Sequence, residues 1–475
     1  MSLIIPANSA SAAGGYAVDN SCRFNDGSSD NLSRTTETPT NAKKYTFSVW
    51  VKRSNIGAAN AKIFGVQGAS ANDQNMMEFN ADYLWWAQST SSGQAYRLKS
   101  NRKFRDIAWY HIVVAYDSTQ GTANNRIRMY INGVEETSFS SRTNPSANLD
   151  SLINSSVSAN AGRTLRLGRT GDNGSQYFDG YMSEVCFIDG LQLDPTSFGE
   201  FDEDSGIFKP IDVSGLTFGN NGFYLDYEDS SALGADVSGN SNNFTVNNLT
   251  AIDKSTDTCT NNGNVHNALI KDTPTLSEGN LNVTTSTSGW ETATGTIGVN
   301  TSKWYCEYKV INKGSSAMFG VIAMTEINAV ASGKHIGYSG INSLGYGYNH
   351  NGSKYNNDVN ASYGNSYTTG DIIGIALDLD NHKLYFSKNG TWQNSGNPES
   401  GATGTGSAYN LTTGYYYTFG CSVHSSSDQM SANFGSPPYA VSDPSSDANG
   451  YGAFDIDTVP SGYYALNTKN LSEYG

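Results

Sequence analysis

The stretch "KKYTFSVWVKRS" places Tyr45, Phe47, Val49 and Val51 on one side of an extended chain and Thr46, Ser48, Trp50 and Lys52 on the other. This period of two predicts a β-strand with one side turned to a core. "WYHIVVAYD" (109–117) is apolar on both sides, which suits a strand in the middle of a sheet. "NRIRMYINGVEE" alternates Ile127, Met129 and Ile131 with Arg126, Arg128 and Tyr130, then turns at Asn132-Gly133. Asn-Gly favours the type I′ hairpin turn, in which both central residues take positive φ. "RTLRLGR" (163–169) and "YMSEVCFID" (181–189) predict two further strands.

The rhythm loosens between residues 216 and 262 and resumes near 264 with "GNLNVTTS", "SKWYCEYKVI" and "SSAMFGVIAM". The apolar run Ile372–Leu379 then leads into "HKLYFSKNGTW", which turns again at Asn389-Gly390. Strand signals at this spacing, with turn residues between them, predict an all-β fold of two antiparallel β-sandwich domains of the jelly-roll kind. The expected organisation is an N-terminal arm at 1–20, a first sandwich at 21–215, a connecting segment at 216–263, a second sandwich at 264–436 and a C-terminal tail at 437–475. The pattern leaves open which sandwich the connecting segment joins.

Composition agrees. The 475 residues include 50 glycines and 29 tyrosines, and only 15% are charged, against a usual quarter. The net charge of −15 argues against nucleic acid as a partner, because phosphate binding needs clustered cations. "KSNRKFR" (99–105) is the one basic knot and reads as a solvated strand end. Cys22, Cys186, Cys259, Cys306 and Cys421 are odd in number and widely spaced, so they are expected to be reduced thiols. The opening "MSLIIPANSA" has neither the basic start nor the apolar run of a secretory signal or anchor, and no stretch is apolar enough to span a bilayer.

Three phrases, "WYHIVVAYD", "RIRMYINGV" and "FDGYMSEVCFID", resemble in order the laminin-G-like family of concanavalin-type jelly rolls over residues 21–200. "SKWYCEYKV", "FGVIAM", "LGYGYNHNGSKYNN" and "GDIIGIALDLDNHKLYFSKNG" resemble the SPRY family over 264–436. "GGYAVDNSCRFNDGSSDNLSRT", "GFYLDYEDSSALGADVSGNSNNFTVNN" and "GYYALNTKNL" are similar to large virion proteins of tailed phages, marine ones especially. That resemblance implies a tail or head fibre or an external decoration protein, made in the host cytoplasm and placed on the virion surface. It implies docking to other virion proteins through the arm and the tail, a trimer, and recognition of a host-surface glycan or protein. The alternatives are a polysaccharide depolymerase and a decoration protein with no ligand.

Catalytic patterns are missing from the sequence. Laminarinase-type glucanases carry E-x-D-x-x-E on one strand, and here "EFDEDS" offers Glu200 and Asp202 but Ser205 in the last place. "YLDYED" has Tyr224 where the first Glu should stand. The six histidines have no metal-ligand spacing, and His111, inside a strong strand, is expected to pack. The protein is therefore read as a non-enzyme, without catalytic or metal residues and without a cofactor. Calcium is the one exception to consider, because 170–180 and 235–243 concentrate Asp, Asn and Ser oxygens, although such residues also make turns. The candidate ligand-binding residues are aromatic: Trp85 and Trp86, which a strand would point to opposite faces, and Trp392, just past a hairpin tip. Tyr346, Tyr348 and His350 share one face of a strand and are expected to pack.

Overall fold

A computed structural model describes residues 15–67, 73–155, 164–171, 176–270, 274–330 and 333–475. Residues 1–14 of the expected arm and 172–175 of the first oxygen-rich loop lie outside the described residues. The chain forms two compact units, and the described part of the first runs from residue 15 to Thr260.

In the first unit one sheet has the order Val134–Glu135, Ile127–Ile131, Trp109–Asp117, Lys44–Arg53, Gly180–Asp189, Ser21–Phe24, Lys254–Ser255, with Phe223–Leu225 beside Gly180–Asp189. The facing sheet runs Phe139–Thr143, Gly93–Lys103, Tyr83–Thr90, Gln74–Asn80, Ala61–Gln67, Thr164–Leu167, Asn31–Thr35, Thr245–Asn247. The alternation decides what lies between them. Tyr45, Phe47, Val49 and Val51 all enter the core, where Phe47 stacks on Phe64 of the facing sheet at 4.1 Å. The strand Trp109–Asp117 is apolar on both sides because it has two cores. Ile112, Val114 and Tyr116 face the sandwich, while Val113 and Ala115 face a second cluster with Phe198, Val213, Phe218 and Tyr224.

That second cluster places the connecting segment. Phe223–Leu225 pairs with Gly180–Asp189, Thr245–Asn247 with Asn31–Thr35, and Lys254–Ser255 with Ser21–Phe24. Residues up to Thr260 thus complete the first unit. Thr46, Ser48 and Lys52, on the expected polar face, are buried, and Lys52 meets this returning chain through Asp257.

The second unit holds Asn261–Gly475. One sheet has the order Thr275–Ser277, Asn282–Thr284, Gln429–Asn433, Lys303–Asn312, Ile372–Asp378, Lys383–Lys388, Thr391–Trp392. The facing sheet runs Glu291–Thr294, Tyr417–Val423, Ala317–Ala323, Gly345–Asn349, Ser353–Asn356, Val359–Ser362. Tyr308 stacks on Phe319 across the core at 4.8 Å. Tyr346 and Tyr348 are buried packing residues. The tail does not hang free. Tyr464–Ala465 adds a parallel strand beside Lys303–Asn312, and Phe454, Ile456, Val459 and Tyr463 pack on Tyr305, Ala376 and Tyr385. The tail's aromatic residues thus cover an apolar outer sheet face of their own domain.

Both Asn-Gly turns have the expected handedness, with φ of 48° and 79° at Asn132 and Gly133 and of 47° and 77° at Asn389 and Gly390. Their surroundings differ. A Cβ on Gly133 would lie 2.4 Å from the Phe208 ring, whereas one on Gly390 would meet only Ile456 at 3.9 Å. Gly133→Ala is therefore expected to cost about 1–3 kcal/mol more than Gly390→Ala, the overpacking adding to the same backbone strain. Chemical denaturation of the two variants checks this, and equal losses would refute the packing argument.

Candidate functional site

The strand Lys383–Lys388 turns at Asn389-Gly390 and returns as Thr391–Trp392, with Ser387 opposite Trp392. The chain then bends sharply, and Asn394 and Ser395 take φ of 53° and 51°. Gln393 is buried and acts as a peg: its Oε1 accepts from Asn365 N at 2.8 Å and its Nε2 donates to Thr391 O at 2.7 Å. It ties the hairpin to the segment that follows the edge strand Val359–Ser362. The Tyr348 hydroxyl, from the core, donates to Asn365 O and holds the same segment from below. Tyr363 is buried, and its hydroxyl accepts from Phe386 N and donates to Gly406 O.

Between these walls lies an open groove of about 560 Å³. Half-buried Trp392 lines it, and Ser362, Asn365, Thr391, Asn394 and Ser395 are exposed along it. No Asp, Glu, Lys, Arg or His is among the lining residues. Trp392 meets Tyr305 edge-on at 6.4 Å, which braces the ring from the core side. A braced aromatic ring among amides and hydroxyls can cover an apolar sugar face while donating to and accepting from its hydroxyls.

The three tryptophan candidates have different surroundings. Trp86 is fully buried, its Nε1 donating to the Tyr45 hydroxyl at 3.1 Å, and its ring packs near Phe47 and Phe64. Its candidacy is corrected, because the strand period that turns Trp85 outward turns Trp86 into the core. Trp85 is half-buried on the outer face of that sheet, in the unit that does not contain Trp392. It lies beneath Arg97 and Lys99 at 4.8 and 4.6 Å from the ring centre.

The remaining chemistry-bearing residues are engaged structurally. Glu200 and Asp202 share Lys209 Nζ, each at 3.3 Å. His111 is buried with Nε2 2.8 Å from Ser48 Oγ, and burial pushes its pKa down to about 3. Asp236, in the second oxygen-rich loop, accepts from the backbone N–H of Tyr224, Ser238 and Asn242. Its oxygens close a turn, which is the ordinary reason for such a loop. Among the described residues, no group of three or more His, Cys, Asp or Glu could hold a metal ion. The five cysteines are unpaired, and no described helix is long and apolar enough to cross a membrane.

Sequence reasoning missed two buried carboxyls. Glu184 sits at a strand irregularity with φ of 50° and accepts from Tyr224 and Tyr16 hydroxyls at 2.8 and 3.4 Å. Glu307, in "WYCEYKV", accepts four hydrogen bonds. Burial pushes each up to about 7. A lone Glu inside an otherwise apolar strand was the available signal for both.

Residues 26–191 match the concanavalin A-like lectin/glucanases superfamily, and residues 303–436 match the SPRY domain. The chain joins a concanavalin-like domain to a SPRY domain. The Trp392 groove thus belongs to the SPRY domain and the Trp85 face to the concanavalin-like one. Among solved structures, the SPRY domain of human HERC1 is similar at 17% identity and a TM-score of 0.25, over 32% of this chain and 87% of that one. A Bacteroides ovatus protein proposed to bind carbohydrate is similar at 16% identity and a TM-score of 0.35, over 49% of this chain and 59% of that one. A pentraxin from Limulus polyphemus is similar at 17% identity and a TM-score of 0.28, over 37% and 78%. No match was found among curated proteins.

Proposed function

We propose that this protein recognises glycans without cleaving them, and that the SPRY-domain groove at Trp392 holds a neutral sugar. The observation that carries this reading is the pairing of a braced tryptophan with side-chain amides and hydroxyls, free of charged groups, along one groove of about 560 Å³. A charged lining would select ionic ligands; this one offers hydrogen bonds matched to hydroxyls. The lectin description of the family matched by the first domain is consistent with such a role. Trp392→Ala is expected to weaken binding of neutral oligosaccharides at least tenfold on a glycan array and in titration calorimetry. Asn394→Ala is expected to weaken it less. Unchanged binding by Trp392→Ala would overturn the reading, and release of reducing ends from any bound polysaccharide would replace it with the depolymerase.

The finer form of the proposal places the protein on the outside of a phage particle, meeting the host surface. Its support is the likeness of residues 14–35, 222–248 and 462–471 to tailed-phage virion proteins. Immunogold labelling of particles tests this placement, and particles without label would reject it.

A further inference from the structure

The basic knot at 99–105 is the expected exposed strand end at Arg102, Lys103 and Arg105, but Lys99 is half-buried and belongs to an organised face. A cross-strand row runs over four strands of the concanavalin-like domain: Lys62 opposite Glu78, Glu78 opposite Trp85, and Trp85 opposite Lys99. The next row places Arg97 opposite Ala87, and Tyr83 lies opposite Lys103. By the period of two, Tyr83 and Trp85 share the outer face with Arg97 and Lys99. The cations lie down on the rings. Arg97 and Lys99 sit over Trp85, and Lys99 and Lys103 over Tyr83 at 4.8 and 4.7 Å. Cation–π contact holds flexible side chains in place and lowers the entropy lost when they bind an anion.

These three cations have no carboxylate partner within ion-pair distance among the described residues, while their neighbours Arg102 and Arg105 pair with Glu136 and Asp82. Glu78 is 2% exposed, and its Oε1 accepts from Asn80. Its carboxyl interacts with Lys62 first and also with Arg97, and one buried carboxyl against Lys62, Arg97, Lys99 and Lys103 leaves the row net cationic. In a chain of net charge −15, this is a local cationic face.

We infer that the Arg97–Lys99–Lys103 face binds an acidic polysaccharide whose charges are separated by neutral sugars. Two observations choose this occupant. Arg97 and Lys99 are two residues apart on one strand, a step of about 7 Å, so the face offers a few fixed charges and not a dense field. The acidic remainder of the protein repels a polymer charged at every unit beyond that face. Single-stranded nucleic acid is charged at every unit, and it also needs open rings for stacking, whereas Tyr83 and Trp85 are covered by their cations. This site is separate from the Trp392 groove, takes a different ligand class and does not rest on that reading.

The test is titration of the full chain with hyaluronan, which carries one carboxylate per disaccharide, beside neutral dextran and oligodeoxythymidylate. Binding of hyaluronan is expected to weaken with added salt, with no binding of dextran or oligodeoxythymidylate. The double variant Arg97→Gln, Lys99→Gln is expected to lose at least tenfold in affinity with its melting temperature unchanged, and Trp392→Ala to bind hyaluronan normally. Should that double variant unfold, Lys103→Gln, at an exposed position, must still weaken binding. The inference is overturned if hyaluronan does not bind, if the folded cation variants bind it normally, or if oligodeoxythymidylate binds as tightly.

Discussion

Asp257→Ala is expected to lower the stability of the concanavalin-like domain by about 3–5 kcal/mol, because it removes the carboxylate ion-paired to a buried lysine. Lys52 Nζ lies 2.6 Å from Asp257 Oδ2, and the two side chains are 1% and 6% exposed. The other oxygen, Oδ1, accepts from Trp109 Nε1 at 3.0 Å, and Ser21 Oγ donates to the Asp257 carbonyl at 2.6 Å. One residue of the returning segment is thus bound to three strands of the first sheet. Removing the whole pair should cost far less than removing half of it, so Lys52→Met combined with Asp257→Leu is expected to recover most of the loss. Denaturant midpoints measure both variants, and amide hydrogen exchange assigns the change to residues 13–260. A loss under about 1 kcal/mol for the single variant would mean that water reaches Lys52.

Asp257 also shows where strand periodicity stops being informative. Tyr45 to Val51, the Ile112 strand and both Asn-Gly turns were legible because each obeys a local rule: a period of two, or a turn that demands positive φ. Residues 216–260 contain only three short strands, at Phe223–Leu225, Thr245–Asn247 and Lys254–Ser255. Strands that short show no period, and their Asp, Ser and Asn residues look like linker. What fastens them is long-range: Asp257 to Lys52, and Asp253 to Arg23 at 3.4 Å. Chain separation hides such pairs. The tail is the same case, since its strand Tyr464–Ala465 has two residues.

The candidate sites were legible in the same uneven way. Period two separated Trp85 from Trp86 but could not say which was inside, since both neighbours of a strand residue look alike until the sheet is oriented. Trp392 could be suspected from its hairpin. The groove could not, because its other wall, Ser362–Asn365, comes from a segment whose sequence has no aromatic or charged marker beyond Tyr363. The cationic face needed register. Lys99 is opposite Trp85 and Lys103 opposite Tyr83 only because the pairing shifts between those positions. Net charge alone argues only against nucleic acid.

Glu307→Ala is expected to loosen the tail from the SPRY domain and to cost about 3–5 kcal/mol, since buried donors left unpaired cost about 1–3 kcal/mol each. Glu307 is 1% exposed. Its Oε1 accepts from the Tyr305 hydroxyl at 3.0 Å and Ile456 N at 3.1 Å, and its Oε2 from Asn433 Nδ2 at 3.0 Å and Asp455 N at 2.8 Å. Two of these donors are backbone groups of the tail, so the carboxyl joins the tail to the sheet. Burial outweighs the donors and raises its pKa from 4.5 to about 7. The folded domain therefore holds the proton more tightly than the unfolded chain does. The resulting stabilisation is fully present below about pH 4.5 and is lost as pH rises through about 7. Its size is on the order of 3 kcal/mol. Glu307→Gln cannot titrate, and its amide turns a donor toward Asn433 or Asp455. It should be less stable than the native protein near pH 4.5, with the gap narrowing toward pH 7. Amide exchange along Lys303–Asn312, measured for both proteins across that range, gives the difference directly, and groups that titrate in both cancel. Parallel pH profiles would show that Glu307 keeps the same charge throughout and that its four donors, not its burial, decide its ionisation.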